Sequence, residues 1–167
     1  MRRRWRDTGR GLRGAKENVA LCRMKPPEPA NESFRYHYPV TVQAADIDFN
    51  HHANNVVYVR WIQEAGTAHW ESAVPEEIAR EYQWVVVRHE IDYKKPALPG
   101  DRLRVETWVE PVARLLSTRH CRVVREADGQ LLARSKTQFC ALDPATRKPR
   151  RLDPRLNDFL RAVAPEE

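Results

Sequence analysis

After residue 83 the chain reads as four strand-like segments with no helix between any two of them, and that order argues against a parallel sheet. Val85, Val87, His89, Ile91 and Tyr93 alternate with Trp84, Val86, Arg88, Glu90 and Asp92, while Leu103, Val105, Thr107 and Val109 alternate with Arg104, Glu106 and Trp108. A period of two marks strands. Pro99-Gly100-Asp101 joins these segments, and two more, near 114 to 126 and 131 to 142, meet at the hairpin-type turn Asp128-Gly129. Parallel neighbours need a crossover long enough for a helix, so a meander of four antiparallel strands is expected. Ahead of it lie one alternating strand, Phe34 to Gln43, and one long helical stretch, 55 to about 73, with no breaker other than Gly66. Val56, Val59, Trp61, Ile62, Ala65, Ala68 and Ala73 spread round much of that helix, which suits an element wrapped by a sheet. Short helices are expected at 75 to 82, with Pro75 in the first position, and after Asp153-Pro154, with Asp as cap. The architecture is therefore α+β, an antiparallel sheet of about five strands around a long central helix.

The stretch from Asp46 to Tyr58 joins the first strand to that helix and carries the chemistry. Continuing the strand's alternation places Asp46 and Asp48 on a common side, and Asn54 or Asn55 can cap the helix by accepting a first-turn N–H. A carboxylate facing a helix N-terminus can act as base or nucleophile while the unsatisfied N–H groups hold a developing oxyanion. A purely structural turn uses the same residue types.

Asp48-x-x-His51-His52-x-Asn54-Asn55-x-x-Tyr58 resembles the D-x-x-G-H-V-N-N-x-x-Y signature of hot-dog-fold acyl-CoA thioesterases of the 4-hydroxybenzoyl-CoA thioesterase type, with His51 in place of glycine. Two later segments resemble the same family, Ile91 to Leu103 and Thr137 to Asp143 with Lys148-Pro149, so the likeness covers about residues 34 to 160. The resemblance implies a hot-dog fold, an acyl-CoA substrate, and a homodimer, or a tetramer built from it, whose site lies between subunits. It implies Asp48 as nucleophile or general base, with N–H groups near Asn55 and Val56 as the oxyanion hole. Glu64 is a second carboxylate on the helix, catalytic or simply ion-paired. His52, Asn54 and Tyr58 would line the substrate site, and Arg147 and Lys148 could meet the phosphates of CoA or form a solvated charge run. No metal and no cofactor is implied. An acyl-ACP thioesterase or a non-catalytic acyl-CoA-binding protein would share the pattern; a hot-dog dehydratase would need a His-containing Pro-Gly motif that is absent.

Length and charge fit this reading. The 167 residues suffice for one domain, expected over 34 to 163. Residues 1 to 23 hold eight Arg and Lys against two acids, which accounts for the whole net charge of +6. The remainder is neutral, so neither nucleic acid nor membrane is an expected partner. Residues 1 to 33 read as a basic, disordered extension and proline-rich linker. An upstream extension before a start at Met24, a functional basic arm and an organellar transit peptide all fit that composition. With no apolar run of roughly 20 residues and three unpatterned cysteines, Cys22, Cys121 and Cys140, a soluble cytoplasmic protein with reduced thiols is expected.

Overall fold

The computed structural model describes residues 35 to 111 and 115 to 162; the basic extension and linker over 1 to 33, with the expected start at Met24 and with Cys22, lie outside the described residues. The elements are β1 (Tyr36–Thr41), α1 (Asn55–Ala73), α2 (Glu76–Ala79), β2 (Gln83–Tyr93), β3 (Arg102–Val109), β4 (Leu116–Arg125), β5 (Leu131–Leu142) and α3 (Leu156–Ala162). They form one five-stranded sheet in the order β1-β3-β4-β5-β2, antiparallel throughout. This is the hot-dog fold.

Only β3, β4 and β5 form a meander. β2 does not pair with β3, which follows it; it crosses to the far edge and pairs with β5, from Gln83 opposite Leu142 to Tyr93 opposite Ala133. The burial of β2 suits an edge, because most of its residues are exposed whereas β3 and β4 are largely buried. A bulge between Val86 and Arg88 also shifts the side on which its residues point.

The helix lies across one face of the sheet. Its buried residues Tyr58, Trp61, Ile62, Ala65 and His69 follow the i, i+3, i+4, i+7 spacing of a single stripe. The first four of them pack on Leu103, Val105, Cys121, Val123 and Ala133. The expectation of an apolar helix wrapped all round is corrected to that extent: Val56 is 66% and Val59 38% exposed. A second cluster, Val74, Tyr82, Ala141, Leu152, Leu156 and Leu160, closes the far end of the helix under α3. Pro75 is the cap of α2 rather than its first helical residue. Asp153 starts a turn, accepting from the Arg155 N–H at 2.8 Å, and α3 begins only at Leu156. Cys121 is buried and Cys140 partly so, both as free thiols, and no helix among the described residues is long and apolar enough to cross a membrane.

Candidate active site

The two acids of the corner do different things. β1 ends at Thr41, and Ala44–Asp46 form a 3-10 turn, so the alternation does not run on and Asp46 and Asp48 do not share a strand face. A short carboxylate beside its own backbone competes for N–H groups. Asp46 turns back to accept from the Gln43 N–H at 2.9 Å and from Arg60 Nη2 of α1 at 2.7 Å, and its carbonyl accepts from the Asn54 N–H at 2.9 Å. Buried by these bonds, it staples the turn to the helix.

Asp48 instead opens a tight hairpin. Its N–H donates to the His52 carbonyl, its carbonyl accepts from the His51 N–H, both at 3.0 Å, and Ile47 bridges Ala53. This is the bonding of a three-residue loop whose last position is left-handed, and His51 has φ 63°. The related signature carries glycine at that position because a Cβ is disfavoured there. The Asp48 side chain is 14% exposed and is held by the Asn50 N–H at 2.8 Å to Oδ1. His52 Nδ1 stands 4.0 Å from the same oxygen and 3.4 Å from the Ala53 carbonyl oxygen.

At the start of α1, Asn54 is the cap: its Oδ1 accepts from the Val56 N–H at 3.0 Å, and its carbonyl from the Val57 N–H at 3.0 Å. Of the two amides expected to bind an oxyanion, Val56 is therefore occupied. Among the described residues the Asn55 N–H has no partner, and it sits at the positive end of the helix dipole.

The opposite wall comes from the end of β2 and the loop after it. Asp48, Asn50, His52, Ala53, Asn55 and Tyr58 share an open cleft of about 430 Å³ with Tyr93, Lys94, Lys95 and Pro96. Buried Tyr58 fixes the loop, its hydroxyl accepting from the Ala97 N–H at 2.9 Å, while the Ala97 carbonyl takes the Ala53 N–H at 2.9 Å. Tyr93 sets its ring edge-on to Tyr58, centroids 5.3 Å apart, and donates its hydroxyl to the Asn55 carbonyl at 3.1 Å. Burial raises the pKa of both tyrosines, so both remain protonated. The sequence does not mark the four residues from Tyr93 to Pro96 as a site beyond placing them in the Ile91 to Leu103 segment.

Three other candidates lie elsewhere. Glu64 borders a separate hollow with Tyr38, Gln63, Thr67, Ala68 and Glu71, 3.5 Å from Arg60. Arg147 and Lys148 belong to the turn after β5, where Asp143 bonds to both of their backbones. That turn adjoins Leu142, which pairs with Gln83 at the end of β2 opposite Tyr93. Within one chain neither basic residue reaches the cleft.

Comparison with known proteins bears on the family and the fold. A family model described as the thioesterase-like superfamily matches residues 42 to 160. The long-chain acyl-CoA thioesterase FadM of Escherichia coli (strain K12) is 25% identical over 129 residues, 72% of this chain and 93% of that protein. The solved structure of YbaW, a probable thioesterase from Escherichia coli, has a TM-score of 0.64 at 23% identity, covering 75% of this chain and 96% of that one. Slr0204, a 1,4-dihydroxy-2-naphthoyl-CoA thioesterase from Synechocystis, has a TM-score of 0.67 at 20% identity over 77% and 97% of the two chains.

Proposed function

The chain belongs to the thioesterase-like superfamily and is a thioester hydrolase, and from that premise we infer that it cleaves acyl-CoA in the cleft between the Asp48 hairpin and Tyr93. The observation that carries this reading is the meeting in one cleft of an accessible carboxylate and a helix-start N–H with no partner among the described residues. The thioester carbonyl oxygen would accept from the Asn55 N–H, which polarises the carbon and stabilises the charge of the tetrahedral intermediate. One well-placed donor of this kind is worth on the order of 10² to 10³ in rate. Asp48 then attacks the carbonyl carbon to give a mixed anhydride that water opens, or takes a proton from water as it attacks. In either case the CoA thiolate leaves and the acid is released. The Asn50 N–H holds the carboxylate in place, and His52 and Tyr58 shape the wall around it.

The acyl-CoA substrate is supported by the likeness to FadM. An acyl-ACP substrate is the second reading, supported by structural likeness to a 12:0-ACP thioesterase from Umbellularia californica at TM-score 0.67. The working unit is a homodimer. Val56, Val59, Val87 and Tyr93 leave apolar surface open on the helix and on edge strand β2, and a second copy would turn that surface into the wall of an acyl groove.

Acyl-CoA and acyl-ACP thioesters of graded chain length, assayed by thiol release, test the reading. Asp48→Asn should lower kcat by about 10²-fold or more with the fold intact. Asp46→Asn, two residues away, should lower stability, because it breaks a charged bond to Arg60. Normal turnover in folded Asp48→Asn would refute the assignment.

A further inference from the structure

We propose that Tyr93 is a positioning residue for the oxyanion donor, acting through the first residue of α1. The proposal rests on the reading of the cleft given above. The first turn of a helix is its loosest part, since its amides lack partners inside the helix. Asn55 is that first residue, and its N–H is the donor the chemistry needs. A free N–H gives no restraint of its own, and within the helix its peptide is held through the Asn54 carbonyl, which accepts from the Val57 N–H at 3.0 Å. Asn54 caps the next amide, not this one. Tyr93 adds a second restraint, from outside the helix, because its hydroxyl donates to the Asn55 carbonyl at 3.1 Å. That carbonyl and the Asn55 N–H belong to one residue, so fixing one limits the swing of the other.

The tyrosine is itself held. It is the last residue of β2, paired with Ala133 of β5, and the N–H groups of Lys94 and Lys95 both donate to the Leu132 carbonyl, at 2.7 and 3.1 Å. Its ring meets Tyr58, which is tied through Ala97 to Ala53 and so to the far wall of the cleft. Asn55, Tyr58, Ala97 and Ala53 thus form a frame, and Tyr93 braces its helix side against the sheet.

Tyr93→Phe removes the hydroxyl and keeps the ring. Loss of one neutral hydrogen bond that acts on the transition state should lower kcat by about fivefold to tenfold, with KM and the thermal midpoint near those of the wild type. Amide hydrogen exchange at Val56, the bonded amide next to it, should quicken in the same variant. A wild-type kcat, or a loss carried by KM alone, would overturn the proposal. If the wild type hydrolyses no thioester, the reading of the cleft fails by itself. Exchange at Val56 then decides the matter, and an unchanged rate in Tyr93→Phe overturns the positioning role too.

Discussion

His69 shows how a residue far from the cleft sets the pH range of the protein. It is fully buried on α1, stacked on Tyr36 at 5.1 Å, and its Nδ1 accepts from Arg119 Nη1 at 2.9 Å. Burial, and then the Arg119 charge, push its pKa from 6.5 down to about 3. A base with a lower pKa in the folded state takes up its proton first in the unfolded chain. Its contribution is therefore whole above about pH 6.5 and is lost as pH falls towards 3. Between pH 6.5 and 5 the loss should come to about 2 kcal/mol, at about 1.4 kcal/mol per unit. His69→Gln leaves an oxygen for Arg119 and has no proton to gain, so its stability in urea should fall less over the same interval. An unchanged slope would assign the acid sensitivity elsewhere.

At the level of elements, the cap of α1 joins folding to chemistry. Asn54→Ala should cost about 1 kcal/mol in urea or thermal unfolding, the usual worth of a cap, and it also frees the Val56 N–H. Activity that falls no further than stability explains would mean the second amide can serve once released. A much larger loss would mean the cap sets the geometry of Asn55. The bounds of α1 were legible because apolar spacing and Asn54 mark a helix start with local chemistry. So were β3, which alternates, and β4 and β5, whose connecting turn has Gly129 at φ 66°. The place of β2 was not, because period reports which way a residue points and never which strand lies beside it. For the same reason Asp48 and Asn55 stood out from the sequence and Tyr93 did not: it joins them only by a pairing between distant parts of the chain. Asp46 and Asp48 look alike in sequence, and only the 3-10 turn separates a staple from a group open to the cleft.

On the scale of the whole molecule, the sheet ends in two edges, β1 and β2, and an unpaired edge is a template for another strand. β2 also carries Val86 and Val87, each more than half exposed. Pairing through β2 would place the cleft wall at Tyr93 next to the second copy. Specific activity followed with sedimentation over a dilution series should therefore fall as the proposed dimer dissociates. A fully active monomer would show that one chain holds a complete site.

The far-edge position of β2 has a consequence for synthesis. Its partner β5 ends at Leu142, opposite the first residue of β2, so on the ribosome β2 emerges long before the strand it must join. The hairpin with Asp48 and the helix that follows can form from local contacts while β2 still has no strand to pair with. A nascent chain stopped short of β5 would hold the carboxylate and the helix start but not the wall across from them, and hydrolysis should begin only once the last strand has left the exit tunnel.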